Sequence, residues 1–343
     1  MPRKYVLTGG AGFIGTNYAA RLIARGDSVR IVDNLARSGS AKNLAWLGLT
    51  FGPDAFEFVN ADVRDDSALP PLVRDADAIV HLAAQVAVTT SIADPRSDFG
   101  TNALGTFNVL EAARLSGRQP RLLYTSTNKV YGAIEDLRIA EHETRYAYAD
   151  PGAAIAEGRP LDFHSPYGCS KGSGDQYVRD YARIYGLPTT VFRMSCICGT
   201  RQFGVEDQGW VAWMTIAAVT GRAISIFGDG KQVRDVLFVE DLLDAFDAAL
   251  ADSAPAGEVF NIGGGIGNTI SVWREFGPLL EGLVHRKVDV SFHDWRAGDQ
   301  KVYVSDISKA ARVLRWAPRI PLSEGMRGLH AWVSSNRDLF GSP

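Results

Sequence analysis

An apolar run, Tyr5-Val-Leu-Thr8, breaks directly into Gly9-Gly10-Ala-Gly12-Phe13-Ile14-Gly15, and Thr16 to Arg25 then carry apolar residues at helical spacing. This junction constrains the fold more than any other feature of the chain. Gly10, Gly12 and Gly15 satisfy G-x-G-x-x-G in a strand–turn–helix context. Glycines there let the backbone turn tightly and approach a pyrophosphate, which the helix N-terminus binds. A second strand, Val29–Asp33, ends on an acid eighteen residues after Gly15. An Asp at that point accepts hydrogen bonds from the adenosine ribose and repels a 2′-phosphate, which favours NAD over NADP. Arg37 stands close enough in sequence to keep the NADP alternative open. A glycine-rich turn without a ligand is the bland alternative, and the acid in register argues against it.

The pattern continues. Strands are expected at Phe56–Val59, Ala78–Leu82, Arg121–Thr125 and Thr189–Arg193, with helices near Ser67–Arg74, Ala103–Leu115 and Ser170–Tyr185. Strands alternating with helices imply a parallel sheet with right-handed crossovers, and ligands then gather at the carboxyl ends of the strands. Those ends carry Asp62-Val63, Ala83-Ala84-Gln85 and Thr125-Ser126-Thr127. The expected fold class is α/β, a Rossmann-type doubly wound parallel sheet with a smaller mixed α/β C-terminal domain. The NAD-binding domain is expected over 1–195 and a nucleotide-sugar-binding domain over 196–343, with segments near 233–247 and 258–265 returning to the first.

Ser165-Pro-Tyr167-Gly-Cys-Ser-Lys171 places a lysine four residues after a tyrosine, about one helical turn, so both side chains share a face. A phenol is too weak an acid to be a base at neutral pH, but a nearby ammonium favours its phenolate. Tyr167 is therefore a candidate acceptor for the proton of a hydroxyl being oxidised. Y-x-x-x-K alone is weak; beside the glycine turn it gains force.

From about Cys196 the chain becomes rich in Trp, Gly and Arg. Residues 226–236 read as a hairpin with a Gly turn. Arg201, Arg234 and Arg296, the last in the loop 296–299, could clamp a diphosphate, because guanidinium forks bind phosphate bidentately. Taken singly, each could equally be a surface arginine. Cys169, Cys196 and Cys198 are too few for a disulfide framework, and Cys196-x-Cys198 lacks a second ligand pair, so no metal is expected. A net charge of −3 gives no general basis for nucleic-acid binding. No apolar run approaches membrane-spanning length, and the chain enters its first strand too early for a signal peptide. A cytoplasmic home, away from membranes, is the expectation.

From about Lys4 to Trp332 the chain resembles the extended short-chain dehydrogenase/reductases of the nucleotide-sugar epimerase/dehydratase group. Thr8–Gly15, Asp33-Asn34-Leu35, His81-Leu82-Ala83-Ala84, Asn102, Ser126-Thr127, Tyr167/Lys171, Arg234-Asp-Val and Arg296 carry the resemblance. It implies that Thr127 holds the sugar hydroxyl, Tyr167 exchanges its proton, and Lys171 binds the nicotinamide ribose while lowering the tyrosine's pKa. It also implies cofactor contacts from Gly9, Gly12, Phe13, Ile14, Gly15, Asp33, Asn34, Leu82, Ala83, Ala84, Asn102 and Thr125, with Asp62 and Val63 against the adenine. A homodimer or homotetramer follows from the same resemblance.

Dehydratases of the group follow the threonine with an Asp-Glu pair, an acid and a base for removing water. Here Asn128-Lys129 follows, which favours an epimerase. A narrower resemblance, to the CDP-paratose 2-epimerases (CDP-tyvelose epimerases), rests on 125–132, Glu143-Thr-Arg-Tyr146, Leu161–Gly172 and Asp207-Gln208-Gly-Trp-Val211. It implies inversion at C2 of a CDP-linked 3,6-dideoxyhexose, with NAD held tightly and recycled. Substrate contacts are expected from Gln85, Asn128, Lys129, His164, Cys196, Arg201, Gln208, Arg234 and Arg296. Cys196 stands where the wider family usually carries Asn. The alternatives are a UDP-hexose 4-epimerase using the same triad and, more remotely, an NAD-binding regulator without turnover.

Overall fold

Strands buried on both faces favour parallel pairing under helical cover, and the early strands of this chain are of that kind. The computed structural model describes residues 2–296 and 299–341. Lys4–Thr8, Ser28–Asp33 and Ala78–His81 are buried at nearly every position. They lie inside a seven-stranded sheet in the order Glu258–Ile262, Thr189–Met194, Arg121–Thr127, Ala78–His81, Lys4–Thr8, Ser28–Asp33, Glu57–Asn60. Thr8 pairs with Val32 on one side and His81 on the other, and His81 pairs with Tyr124, all in parallel register. The chain lays its second and third strands to one side of the first, then crosses to the other side for the fourth. The carboxyl ends of Lys4–Thr8 and Ala78–His81 therefore form the switch point at which open α/β sheets bind ligands.

The helix expected over Ser170–Tyr185 begins earlier, at Ser165. Pro166 suits its first turn, where no intrahelical N–H is needed, and Gly186 closes it in the left-handed region at φ 69°. Tyr167 thus sits in the first turn. The helix expected from Ala103 has an α-helical body at Gly105–Leu115, entered through a π-helical turn at Gly100–Leu104. Val109, Leu110, Ala113, Tyr124, Val178 and Tyr181 join these helices to the sheet in one buried cluster.

The chain divides into two compact units. The first holds residues 1–130, 163–193 and 243–260; the second holds 131–162, 194–242 and 261–343. The division is more interleaved than the expected boundary at 195. Residues 131–162 group with the second unit, and the segment returning to the first is Leu243–Phe260.

The second unit has its own core around the helix Trp210–Thr220, with Trp273, Phe276, Leu280, Met326 and Leu329. The hairpin expected over 226–236 does not form. Ile224–Phe227 pairs in parallel with Val290–His293 instead. Val233–Phe238 pairs with Cys196–Cys198 and Val302–Tyr303 in parallel and with Thr269–Ser271 antiparallel. Every residue of Val233–Phe238 is buried, so it needs cover that a two-stranded ribbon cannot supply. Gly228 and Gly230, at φ 82° and 78°, carry the chain from one sheet into the other.

Candidate active site

The glycine turn lies at the switch point. Gly9 has φ +68°, and a Cβ there would stand 2.6 Å from the Ala83 amide nitrogen, so the turn is pressed against Leu82-Ala83. A Cβ on Gly15 would meet Gly10 Cα at 2.5 Å, so this glycine serves close packing of the helix on its own turn. Gly12 differs: a Cβ there would meet only the Gly9 carbonyl, at 3.2 Å. The chain's own packing does not demand that glycine, but backbone approach by a ligand would. Gly12 also caps the helix Phe13–Ala24, which has no side-chain cap and no acid in its first turn. Its leading N–H groups and dipole suit an anion.

Asp33 ends the second strand and accepts hydrogen bonds from the Ala11 and Leu35 amides at 3.1 and 2.8 Å. Burial pushes its pKa up. Each carboxylate oxygen retains a lone pair for a ribose hydroxyl. Asn34 donates to Asp62 at 2.8 Å, and Arg64 grips the same carboxylate and holds it at about 2. Val63 is buried beside Gly105, whereas Phe13, Ile14, Leu82, Ala83 and Ala84 remain half-buried. A glycine cradle, a free helix start and a strand-end carboxylate fit a dinucleotide.

Tyr167, Lys171 and Thr127 all belong to the first unit. Thr127 closes the strand Arg121–Thr127; its hydroxyl accepts from the Lys129 amide at 3.2 Å and lies 3.3 Å from Asn128 Oδ1. The Thr127 side chain also hydrogen-bonds Tyr167. Here one sequence expectation needs correcting. Tyr167 is pushed up to about 12 by burial, and the influences opposing this are Thr127 and the Arg37 charge, with Lys171 not among them. The Lys171 ammonium instead sits 4.2 Å from the centre of the Tyr124 ring, a cation–π contact. Burial pulls it down to about 7, so at neutral pH it is only part charged. Tyr124 donates to the Lys171 carbonyl at 3.2 Å and stacks on His81. His81 is buried between the Thr8 and Thr106 hydroxyls at 2.6 and 3.0 Å, and burial holds it neutral, at about 3.

Behind this column lies a network in which only Gln85 and Asn102 were singled out from the sequence. Asn102 is wholly buried; its amide exchanges hydrogen bonds with the Gln85 backbone at 2.9 and 3.0 Å and reaches Ser170 at 3.1 Å. The Gln85 side chain donates to the Ala87 carbonyl at 2.8 Å and to Asp98 at 3.1 Å. Both amides are thus engaged within the protein. Thr125 donates to the His81 carbonyl at 3.1 Å. Asp98 and Tyr124 escaped the sequence reading, since each looks like an ordinary core or helix position, and His81 entered it only as part of the His81–Ala84 resemblance. His164 is exposed at the residue preceding the helix of Tyr167.

Cys196, Arg201, Gln208, Arg234 and Arg296 all lie in the second unit. The Trp210 indole donates to Cys196 Sγ at 3.3 Å. Cys198 faces the core, and burial raises its thiol far above the usual range. Arg296 lies 3.7 Å from the centre of the Phe227 ring and pairs with Asp207 at 3.1 Å. Arg234 pairs with Asp299 at 3.5 Å, and Arg201 lies over the Trp332 ring at 5.8 Å. Ala297 and Gly298, the middle of the 296–299 loop, lie outside the described residues. Among the described residues no group of His, Cys, Asp or Glu is arranged to hold a metal ion. Nor is any helix there long and apolar enough to cross a membrane.

Residues 5–263 match the model of the NAD dependent epimerase/dehydratase family. The chain is 44% identical to the CDP-paratose 2-epimerase of Salmonella typhi over 97% of its length and 99% of the relative's. It is 34% identical to the UDP-glucose 4-epimerase of Mycolicibacterium smegmatis, covering 94% and 96% of the two chains. Among solved structures, a dTDP-glucose 4,6-dehydratase from Streptomyces venezuelae with NAD bound superposes with a TM-score of 0.85 at 29% identity, covering 98% and 99% of the two chains.

Proposed function

The chain belongs to the NAD dependent epimerase/dehydratase family, and from that membership we propose that it is a nucleotide-sugar 2-epimerase acting on a CDP-linked sugar of the paratose/tyvelose type. The observation that carries this reading is the 44% identity to a CDP-paratose 2-epimerase across nearly the whole of both chains. The similarity to a UDP-glucose 4-epimerase supports a second reading, a UDP-hexose 4-epimerase with the same triad. Elimination of water fits poorly. Asn128 is a neutral amide with no acid proton to give, and Lys129 cannot replace a carboxylate base.

NAD held by the glycine turn and Asp33 would supply a hydride acceptor and donor at the sugar carbon, and its positive ring would favour the tyrosine's phenolate. On this reading Tyr167 takes the proton of the C2 hydroxyl as C2 is oxidised. Thr127, its oxygen held by the Lys129 amide, positions that hydroxyl. Lys171 engages the nicotinamide ribose. The 2-keto sugar then presents its opposite face, and Tyr167 gives the proton back to the alkoxide, so no net redox change occurs. Asp33 and the amides beyond Gly12 hold the dinucleotide tightly enough for it to be reused at each turnover. Arg201, Arg234 and Arg296 grip the diphosphate, and Gln208, Cys196, His164 and Lys129 contact the nucleotide or sugar.

The proposal extends to a cytoplasmic homodimer or homotetramer. Exposed Phe99, Leu104, Phe107, Tyr177 and Ile184 on the helices flanking the site support a paired surface. Incubation with CDP-paratose, with UDP-glucose in parallel, followed by NMR of the sugar couplings, tests the reading. A new 2-epimer is the expected result. Inversion at C4, or none with either donor, overturns it.

A further inference from the structure

Tyr167 is held by its backbone as well as by Thr127. Its N–H is one of the first-turn donors for which a helix has no internal acceptor. His164, just before the helix, offers no side-chain cap. Ser165 Oγ accepts the Gly168 amide at 3.2 Å, which leaves the tyrosine's own amide to be answered from elsewhere. That amide donates to Ser91 Oγ at 3.1 Å, on a different helix, Val88–Ala93. Ser91 is fully buried, and its hydroxyl donates to the Val88 carbonyl at 2.7 Å. With the proton committed there, the serine oxygen turns a lone pair to the tyrosine. At the other end of the residue, the Tyr167 carbonyl accepts from Ser170 Oγ at 3.2 Å, and Asn102 donates to that same oxygen at 3.1 Å.

Ser91 and Asn102 belong to one stretch of chain, and Gln85 fastens it. The Gln85 side chain brackets the Ala87 peptide, donating to its carbonyl at 2.8 Å and accepting from its amide. Ala87 precedes the helix of Ser91 and has no capping side chain of its own, so this bracket sets where the helix begins. The Ala87 carbonyl also accepts the Ser91 amide at 3.1 Å. Asp98 Oδ1 accepts from Gln85 at 3.1 Å and from Asn102 at 3.0 Å, which closes the stretch into a loop. Two residues before Gln85 stands Ala83, against which the Gly9 turn is pressed. Residues 82–102 therefore join the glycine cradle to both backbone groups of Tyr167. The Gln85 amide, expected to touch substrate, is spent inside this brace.

We propose that Ser91 is a positioning residue for Tyr167: its hydroxyl pins the tyrosine's amide, and the Gln85–Asn102 brace fixes that pin relative to the glycine turn. The proposal rests on the reading of Tyr167 as the proton acceptor. Without the hydroxyl, the Tyr167 amide loses its acceptor and the first turn of the helix is free to shift. A shift of about 1 Å at a reacting group is enough to cost about a hundred-fold in rate. Binding of the sugar through the second unit's arginines does not pass through Ser91, so the loss should fall on kcat and not on KM.

The test is turnover of the NAD-loaded protein, counted per bound NAD so that unfolded molecules do not enter. Ser91→Ala should lower kcat about thirty-fold and leave KM within a factor of about two. Ser91→Cys nearly keeps the volume but presents a weaker acceptor, and should lose about ten-fold. A role in packing alone would spare Ser91→Cys, so a kcat there within a factor of about two of native overturns the proposal. If Ser91→Ala does not fold, Ser91→Cys carries the contrast by itself. The second readout needs no sugar: hydrogen exchange at the Tyr167 amide, followed by NMR, should quicken about ten-fold in either variant, while the amides of Val178 and Tyr181 later in the helix keep their native rates. Unchanged exchange at Tyr167 also overturns the proposal. An active Tyr167→Phe protein would instead sink the proton-path reading, so the two failures are told apart.

Discussion

The charged groups around Tyr167 and Lys171 are held differently from the arginines expected to meet substrate. In the first unit, ionised and polar side chains are sealed in and fixed by short hydrogen bonds: Arg193 on Asp175, Asn102 on Asp98 and Ser170, His81 between two threonines. In the second unit, the arginines expected to meet substrate rest on aromatic rings, Arg296 on Phe227 and Arg201 on Trp332. A ring face supports a guanidinium without dictating the direction of its forks. The difference suits the tasks proposed for them. Proton exchange tolerates little misplacement, whereas the grip on a diphosphate gains from side chains that can adapt.

The largest effect should come from the fixed side. Tyr167→Phe should cut turnover by about a thousand-fold or more while NAD stays bound, read from the cofactor absorbance of the purified protein. Substantial residual epimerisation would remove Tyr167 from the proton path.

Acid should also strike the first unit first. His81 is held at about 3, below its ordinary 6.5. The unfolded chain therefore binds a proton that the folded one refuses, and stability falls as pH drops from about 6.5 towards 3, by on the order of 5 kcal/mol in total. Urea unfolding across that range measures it. The other histidines are at least partly exposed, so an acid transition beginning in the second unit would contradict the comparison.

Gly15→Ala, whose Cβ has no room, should cost about 3 kcal/mol in the same unfolding assay. On the adaptable side, Arg296→Ala should raise KM about ten-fold and leave kcat within a factor of about two, since it removes grip and not chemistry. The smallest structural effect should be that of Gly12→Ala. Its Cβ meets only one carbonyl, so the fold should lose no more than about 0.5 kcal/mol while NAD retention drops sharply. A Gly12→Ala protein that keeps its NAD would place the pyrophosphate elsewhere.

The first unit was readable because its signals are local. Strand, glycine turn, helix and terminal acid follow one another in thirty-odd residues, and Tyr167 and Lys171 share a helical turn. Asp98 was not legible, because it acts through Asn102, which in turn holds Ser170 far along the chain. The tyrosine's acidity was misjudged for a related reason: spacing shows that a lysine is near, but not that its ammonium is turned onto Tyr124. In the second unit, Val233–Phe238 suggests a hairpin by its glycines. Its partners Cys196–Cys198, Thr269–Ser271 and Val302–Tyr303 are too distant in sequence for any local pattern to reveal.

The interleaving of the two units bears on how the molecule is made. The first unit begins at the amino terminus, yet the outer strand of its sheet, Glu258–Ile262, and much of the helix before it come from late in the chain. On the ribosome, the usual order of amino-terminal domain first cannot run to completion. The sheet waits with the edge of Thr189–Met194 uncovered until Glu258–Ile262 emerges. A pause in translation over that interval would prolong exposure of a buried, β-rich edge, the kind of surface that invites mispairing with a neighbouring nascent chain.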